Sequence, residues 1–266
     1  MKTNGEKIKK VSQVLAAASY AIALTGAGLS TESGIRDFRG KNGVWTTDPE
    51  AERKAYQSFA KFKRDPKAHW IERLTTPALL GDLSGFEPNR GHLALAELES
   101  MGIIRAVITQ NIDNLHRRAG SINLIEYHGN YSKLRCMNCA SKYERSQFNL
   151  EDMLRDDLLP PICPNCGQAL KLDIVFFNEP IPDAVAAKSI SEAWECDVML
   201  VCGTSATVYP FADLPLNAKQ QGGAIIIEIN AEPTPLTSGG ISDYFIQGST
   251  GECLTRIVQE IKRIMT

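Results

Sequence analysis

Hydrophobic positions along the chain follow two patterns: some recur every three or four residues, and others form short continuous runs. Between residues 6 and 19 apolar side chains recur every three or four positions, among them Ile8, Val11 and Leu15, and this spacing predicts a helix with one buried face. Further amphipathic stretches predict helices at 91–101, 182–194 and 250–265. Short apolar runs predict buried strands at 20–25, 103–109, 124–127, 172–177, 197–202, 224–229 and 244–246. This alternation is typical of an α/β fold with a parallel, doubly wound, Rossmann-like sheet.

The first predicted strand leads into a loop, residues 26–40, that is too polar and glycine-rich for a core. Gly26 and Gly28 can adopt positive φ, and we expect their backbone N–H groups to approach a phosphate. Asp37, Phe38 and Arg39 then supply an acceptor, an aromatic surface and a cation that suits a pyrophosphate. A flexible surface loop is the alternative, but it does not explain this combination.

The same loop argues against an ordinary dehydrogenase. Its third fingerprint position is Thr31 rather than Gly or Ala, and no acidic residue closes a second strand about 20 residues further on. The sequence therefore predicts a phosphate-containing ligand without hydride transfer.

Polar residues also end the later strands, so they should gather at the same edge of the sheet. Gln110, Asn111 and Asp113 follow the second strand, residues 203–205 follow a later one, and Asn230 follows the next. Helix capping is the alternative role for Asn111 and Asp113, but it explains one of them rather than the cluster.

Among the histidines, His128 is the best candidate for a general base. It follows a predicted strand and precedes Gly129, where an imidazole can act near neutral pH. His92 and His116 lie on predicted helices and should be hydrogen-bonded structural residues. His69 lies among charges within residues 41–90, a proline-punctuated helical insert, and should be exposed.

Two Cys-x-x-Cys pairs, Cys136 with Cys139 and Cys163 with Cys166, predict a metal site. Four thiolates complete the tetrahedral shell that Zn²⁺ prefers, and because no position stays open for water, the zinc should be structural. A rubredoxin-like iron site has the same ligands and stays open as an alternative. A redox-active pair does not explain why there are two pairs.

The composition limits the kinds of partner that we expect the protein to bind and the cell compartment in which we expect it. The 266-residue chain has 43% hydrophobic residues and a net charge of −2, so it can bury a sizeable core and offers no global attraction for nucleic acid. No apolar run is long enough for a membrane span, and the charged N-terminus is not followed by an apolar signal core. We expect a cytoplasmic protein with no membrane contact and no direct nucleic-acid binding. Cys196, Cys202 and Cys253 should be small core residues.

The set of motifs resembles one known family, the sirtuins, which are NAD-dependent protein-lysine deacylases. The match runs in order along nearly the whole chain and consists of Gly26-Ala27-Gly28-x-Ser30, Asp37-Phe38-Arg39, Gln110-Asn111-x-Asp113 with His116, His128-Gly129-Asn130, the two cysteine pairs, Gly203-Thr204-Ser205 and Ile229-Asn230. The resemblance implies a discontinuous Rossmann-like NAD-binding domain (1–44, 76–132 and 171–266), a helical insert of the small domain (45–75) and a zinc-binding module (133–170).

The resemblance also implies roles for individual residues. His128 would be the general base, and Asn111 and Asp113 would act at the nicotinamide. NAD would be held by Gly26, Ala27, Gly28, Ser30, Ile35, Asp37, Phe38, Arg39, Trp45, Gln110, Asn111, Asp113, His128, Gly203, Thr204, Ser205, Asn230 and Cys253. An acyl-lysine protein or peptide, the implied partner, would pair with an edge formed by Val175, Phe176, Phe177, Asn178 and Val208.

The implied reaction cleaves NAD to nicotinamide and transfers the acyl group from lysine to ADP-ribose. A protein mono-ADP-ribosyltransferase or an NAD hydrolase that uses the same cleft is the alternative. A non-catalytic NAD sensor is disfavoured, because His128 and Asp113 are both present.

Three departures from the family pattern stand out. Arg36 replaces the usual proline before Asp-Phe-Arg, so the loop should lose a fixed φ and gain a cation beside the nicotinamide pocket. Asn178 replaces a usual glycine and should narrow the peptide groove. The insert lacks the Tyr and Arg pair with which sirtuins recognise succinyl or malonyl lysine, which leaves acetyl and longer fatty acyl groups open.

Overall fold

The computed structural model describes residues 3–77 and 79–266, so positions 1, 2 and 78 of the predicted domains lie outside the described residues. The helices and strands follow in chain order as α1 Asn4–Ala16, β1 Ala21–Thr25, α2 Ala27–Ser30, α3 Val44–Thr47, α4 Pro49–Arg64, α5 Pro66–Thr75, α6 Arg90–Ser100, β2 Ile104–Thr109, α7 Leu115–Arg118, β3 Leu124–Glu126, β4 Gly129–Cys136, β5 Lys142–Glu144, α8 Leu150–Arg155, β6 Leu170–Ile174, α9 Asp183–Glu195, β7 Val198–Cys202, α10 Leu214–Gly222, β8 Ile225–Asn230, α11 Pro235–Ser238, β9 Tyr244–Gln247 and α12 Thr250–Met265. Most predicted elements are confirmed to within three residues at each end.

The main sheet has six parallel strands in the order β3-β2-β1-β7-β8-β9. This order confirms the predicted doubly wound, Rossmann-like fold. From β1 the chain moves towards one edge of the sheet, and from β7 it moves towards the other. The order therefore reverses between β1 and β7, and the crevice outside the carboxyl ends of these two strands is where such sheets bind ligands.

Strand β1 shows how the sheet is covered on both faces. Ala21 and Ala23 pack into one core with α1, α6 and α12, whereas Ile22 and Leu24 pack into a second core with α9 and α10. All five residues of the strand are buried. Because both faces are covered, the strand has no polar face, and its first four residues form a continuous apolar run.

The second sheet is antiparallel, in the order β5-β4-β6, and it corrects one prediction. The apolar run predicted as a strand at 172–177 forms β6 at Leu170–Ile174, and β6 pairs with β4 instead of joining the parallel sheet. Its pairing with β4 reaches across the limits predicted for the zinc module at 133 and 170. An apolar run indicates burial but does not identify the partner strand, which is why the sequence pattern misplaced it.

The helical insert packs against this second sheet. The Trp70 side chain on α5 is buried, and its Nε1 donates a hydrogen bond to the Leu170 carbonyl at 2.8 Å. Asp48 and Asp65 cap α4 and α5, and a proline occupies the first turn of each helix. The insert and the antiparallel sheet thus share one hydrophobic cluster beside the carboxyl edge of the main sheet.

Candidate active site

The loops that follow β1 and β7 meet at the point where the strand order reverses. The Gly26 amide donates to the Cys202 carbonyl at 3.1 Å, and the Gly28 amide donates to the Gly203 carbonyl at 2.7 Å. A Cβ on Gly28 would lie 2.8 Å from the Gly203 carbonyl oxygen, and a Cβ on Gly203, where φ is +61°, would lie 2.3 Å from the Leu29 nitrogen. Glycines are therefore required here because the two loops touch.

The structure gives Gly26 and Gly28 a role different from the predicted one. Their N–H groups were predicted to approach a phosphate, but both are used in bonds to the loop after β7. The predicted loop also begins with helical turns, α2 and a 3₁₀ turn at Thr31–Ser33, before Gly34 breaks them with φ of +93°. The glycines shape the floor of the crevice rather than supplying its donors.

The predicted polar cluster forms around Ser30. The Ser30 hydroxyl donates to Asp113 Oδ2 at 2.6 Å, and Asn111 Nδ2 donates to Ser30 Oγ at 3.1 Å and to the Gly26 carbonyl at 3.0 Å. The second oxygen of Asp113 accepts a bond from the Leu115 amide at the start of α7. Asp113 therefore both supports the helix and faces the crevice, while Asn111 has no capping role.

Two histidines lie beneath this cluster and are buried, as predicted. His116 Nε2 lies 2.9 Å from Thr25 Oγ1, and His92 Nε2 lies 3.4 Å from Ser30 Oγ. Burial lowers the pKa of His92 to about 4 and that of His116 well below its usual value, so both rings are neutral at pH 7.

The prediction that His69 is exposed is wrong. Its ring lies between Phe62 and Phe176, with centroids 5.5 Å from each, and only 8% of the residue is exposed. Burial, and secondarily the nearby Arg73, lower the pKa of His69 to about 4. The prediction failed because the residues next to His69 on α5 are charged, whereas the side of the helix that carries His69 faces the antiparallel sheet.

His128 lies directly after β3, beside the Ser30 cluster. Its Nδ1 lies 3.3 Å from the Gln110 carbonyl oxygen, which can only accept, so Nδ1 carries the proton and Nε2 keeps its lone pair. The ring packs edge-on to Tyr127, with centroids 5.4 Å apart. Burial lowers the pKa of His128 to about 4. The imidazole is therefore neutral, held in one tautomer and able to take up a proton.

The loop after β7 is bound to the same cluster. Gln110 Nε2 donates to Thr204 Oγ1 at 2.8 Å, and Asn230 Nδ2 lies 3.5 Å from the Thr204 carbonyl oxygen. Ser205 Oγ lies 2.9 Å from Thr207 Oγ1 on the exposed side of the loop. The ends of β2, β7 and β8 are thereby held together around one crevice.

An aromatic row connects the loop after α2 to the predicted peptide edge. Phe38 lies 5.0 Å from Trp45, Trp45 lies 6.2 Å from Phe177, and Phe177 stacks on Tyr56 at 4.4 Å, all between ring centroids. Arg39 forms an ion pair with Glu52 of α4 at 3.7 Å. Sequence reasoning missed Tyr56, because nothing in the pattern of α4 distinguishes it from a packing residue.

Asn178 has a backbone conformation that accounts for the glycine usual at its position. Its φ is +65°, in the left-handed region that glycine enters freely and asparagine tolerates better than most residues. Its exposed side-chain amide donates to the Tyr56 carbonyl at 3.3 Å. The amide therefore connects the predicted peptide edge to α4, and the narrowing of the peptide groove stays a prediction.

A buried ion network behind the peptide edge was also missed. Lys171 is fully buried, and its ammonium lies 3.1 Å from Glu179 Oε2, which in turn accepts a bond from the Phe176 amide at 2.9 Å. Arg135 approaches the other Glu179 oxygen at 2.6 Å and Asp173 at 3.1 Å. Charged residues at alternate positions of an otherwise apolar strand, Lys171 and Asp173, were the signal that could have revealed this network.

The four paired cysteines come together as predicted. The Sγ atoms of Cys136, Cys139, Cys163 and Cys166 all lie within 4.8 Å of one another. Both pairs are folded into equivalent turns, in which the Ala140 amide donates to the Cys136 carbonyl and the Gly167 amide donates to the Cys163 carbonyl. Four sulfurs at this spacing fit a tetrahedral thiolate shell around Zn²⁺. The remaining cysteines, Cys196, Cys202 and Cys253, are buried and unbridged, as predicted.

One cavity of about 1440 Å³ runs along this edge of the sheet and into the cleft beside the insert. Most of the predicted cofactor and substrate residues line it: Ala27, Gly28, Ser30, Ile35, Asp37, Phe38, Arg39, Trp45, Gln110, Asn111, Asp113, His128, Val175, Phe176, Phe177, Asn178, Gly203, Thr204, Ser205, Val208 and Asn230. Two predicted residues do not line it: Gly26, the first residue of the loop, packs against Thr204, and Cys253 lies in the core beside Gly248. The volume and the polar floor suit a dinucleotide with room for a second ligand.

The chain combines a doubly wound sheet, a ligand cavity where the strand order reverses, and a four-cysteine module. This combination defines a class of nucleotide-dependent enzymes. Residues 26–210 match the Sir2 family. The chain belongs to this family. The NAD-dependent protein deacylase of Pyrococcus furiosus is 45% identical over 257 residues, which cover 96% of this chain and 98% of that protein.

Solved structures of relatives agree with this assignment. A Sir2 homolog–NAD complex is 37% identical with a TM-score of 0.78, and the match covers 97% of this chain and 95% of that one. Sir2Af2 bound to a myristoylated histone peptide is 38% identical with a TM-score of 0.68, and 98% of each chain is covered. The predicted resemblance to sirtuins is confirmed.

A helix that crosses a membrane must be both long and apolar. Among residues 3–77 and 79–266, none of the helices combines the length and the apolar character that a bilayer crossing needs.

Proposed function

We propose that this chain is an NAD-dependent protein-lysine deacylase, which cleaves NAD to nicotinamide and passes the acyl group of a lysine side chain to ADP-ribose. One observation carries the proposal: His128, with its Nδ1 held by the Gln110 carbonyl, lies in the same cavity as the Ser30–Asn111–Asp113 cluster. A neutral base therefore lies beside a polar floor at the ligand-binding point of a Rossmann-like sheet.

The residues of the floor fit the nicotinamide end of NAD. Asn111 and Asp113 carry amide and carboxylate groups that match a carboxamide, and Ser30 fixes both side chains through its hydroxyl. Ile35 is buried next to them and supplies an apolar wall. When bound, NAD supplies the ribose carbon that takes up the acyl oxygen as nicotinamide leaves.

His128 performs the proton transfer. Its Nε2 would take up a proton from a ribose hydroxyl of the bound nucleotide, which would activate that oxygen toward the acyl carbon, and the bond from Nδ1 to Gln110 fixes the ring orientation. Because the ring is desolvated, the neutral form that accepts the proton persists well below pH 6.5.

The acyl-lysine peptide lies, in this proposal, along the segment from Val175 to Asn178 and across from Val208. The Val175 amide donates to the His128 carbonyl at 2.8 Å, and this contact supports a peptide edge beside the base. Residues 177 and 178 follow β6 and lie outside both sheets, in a turn that the Glu179 amide closes on the Phe176 carbonyl at 3.0 Å, so a peptide can meet this segment without displacing a strand. We expect acetyl or longer fatty acyl groups on the lysine.

A product assay tests the proposed function. The protein is incubated with NAD and an acetyl-lysine peptide, and nicotinamide, free-lysine peptide and O-acetyl-ADP-ribose are quantified, with a reaction lacking peptide as the control. We expect the three products in equal amounts. NAD loss without turnover of the peptide would instead support the ADP-ribosyltransferase or hydrolase alternative. A competing panel of acyl chain lengths then ranks the acyl groups.

We also place the enzyme in the cytoplasm. Its cysteines outside the metal cluster are buried thiols without disulfides, which suits a reducing compartment. Fractionation of the source cells, with immunodetection of the chain, tests this placement.

A further inference from the structure

The segment 36–47, called here the cofactor loop, folds back on itself. The Val44 amide donates to the Asp37 carbonyl and the Trp45 amide donates to the Phe38 carbonyl, both at 2.9 Å. The Gly43 amide closes the turn on the Gly40 carbonyl at 2.8 Å. The two halves of the loop therefore hold each other, and this pairing fixes where Phe38 and the adjacent Arg39 enter the cavity.

Arg36 bonds the start of the loop to its end. Its Nε and Nη2 donate to the Asn42 carbonyl at 3.2 and 3.0 Å, and Nη2 also reaches the Gly43 carbonyl at 3.4 Å and Thr47 Oγ1 at 2.5 Å. All these acceptors belong to the returning half of the loop. Arg36 lines the cavity, as a cation beside the nicotinamide pocket would, and its guanidinium is bonded to loop oxygens.

We propose that Arg36 is a positioning residue for NAD, whose guanidinium holds the cofactor loop in its ligand-binding conformation and so replaces the fixed φ of a proline. Ordering a free loop on binding costs conformational entropy, and a loop that is already closed avoids that cost. The Arg36 backbone N–H donates to no acceptor within residues 3–77 and 79–266, so a proline here would remove no bond of the described structure.

The test compares Arg36→Ala and Arg36→Pro with the unchanged enzyme by calorimetric titration of ADP-ribose in the absence of peptide. We expect Arg36→Ala to bind ADP-ribose about three- to tenfold more weakly, which corresponds to the loss of one or two exposed hydrogen bonds to a charged group. Arg36→Pro should recover most of that loss. Arg53→Ala, which removes an exposed guanidinium paired with Glu50 within α4, is the matched control and should bind normally.

Hydrogen exchange of the loop amides in the ligand-free protein supplies the second readout. In Arg36→Ala the amides of Val44 and Trp45 should exchange severalfold faster, because they lie in the pairing that Arg36 holds closed. Unchanged affinity in Arg36→Ala would overturn the proposal. Weaker binding with unchanged exchange would also overturn it, since the guanidinium would then touch the ligand directly. A proline variant as weak as the alanine variant would refute the equivalence with proline.

This inference rests on NAD as the ligand but does not require deacylation. If the unchanged enzyme failed to bind ADP-ribose, the proposed function itself would fail. If the unchanged enzyme bound ADP-ribose and Arg36→Ala bound it equally well, only the role of Arg36 would be refuted.

Discussion

Different kinds of interaction stabilise the two sides of the cleft. The cofactor side, around Ser30, Asn111 and Asp113, consists of short neutral or singly charged hydrogen bonds at the ends of parallel strands. The peptide side depends on the buried ions Lys171 and Glu179 and on the module that the cysteines close. The sheet topology brings the residues of the first side together at the strand ends, whereas the residues of the second side lie against a buried ion network and a module that contains the four-cysteine cluster. The following experiments test this division.

Removal of the metal should have the largest effect. Binding of structural zinc by four thiolates contributes on the order of 10–16 kcal/mol to the folding of such a module. Chelation, or Cys163→Ser, should therefore abolish peptide binding while the parallel sheet keeps measurable affinity for ADP-ribose. Elemental analysis of the purified protein distinguishes zinc from iron. Peptide binding that survives complete loss of the metal would contradict the division.

Loss of the base should stop turnover without harming the cofactor side. His128→Ala should lower kcat by about 10²- to 10⁴-fold, the range for loss of a general base. Because the ring is held by a hydrogen bond to the backbone carbonyl of Gln110, ADP-ribose affinity should stay within about threefold of the unchanged enzyme. A variant that still deacylates at near-normal rate would remove His128 from the proposed role.

Breaking the buried ion network should harm the peptide side selectively. Lys171→Met leaves the Glu179 carboxylate with less compensation, and loss of one partner of a buried pair costs about 3–5 kcal/mol. We expect a lower melting temperature and a raised KM for the peptide, with unchanged ADP-ribose binding. The double variant Lys171→Met with Glu179→Gln should recover part of the stability. Equal damage to both ligands would contradict selectivity.

Acid should destabilise the protein through its histidines. Burial lowers the pKa values of His69, His92 and His128 to about 4, and that of His116 further, so below pH 6.5 the unfolded chain binds protons that the folded chain does not. The free energy of unfolding should therefore fall as the pH falls from 6.5 towards 4, by at most about 1.4 kcal/mol per histidine per pH unit. Urea unfolding measured across this range checks the sign. His69→Phe should flatten the curve.

The smallest effect is expected at the groove. Asn178→Gly relieves the strain of φ at +65° by about 1 kcal/mol and removes the bond to the Tyr56 carbonyl. The KM for the peptide should fall severalfold as the groove opens, while ADP-ribose affinity stays unchanged. Tyr56→Ala, which removes the stack on Phe177 but keeps the carbonyl, is the matched variant. A higher KM in Asn178→Gly would show that the amide contacts the peptide instead.

The sequence predicted the parallel sheet well because its central strands β1 and β7 are buried on both faces and therefore appear as mainly apolar runs. The cysteine cluster was also predictable, since metal-binding spacing is local. Contacts between distant segments were not predictable. The ion pair of Lys171 with Glu179, the burial of His69 and the contact of Gly28 with Gly203 all depend on which segments meet, and periodicity carries no information on that.

Trp45 lies between Phe38 of the cofactor loop and Phe177 of the proposed peptide edge. Of the other tryptophans, Trp70 is buried in the core of the insert at the wall of the same cavity, and Trp194 lies on the exposed surface of α9. The protein thus carries a built-in optical probe, whose emission should respond to the arrival of either ligand. The emission of Trp45 can then report the order in which the two ligands bind.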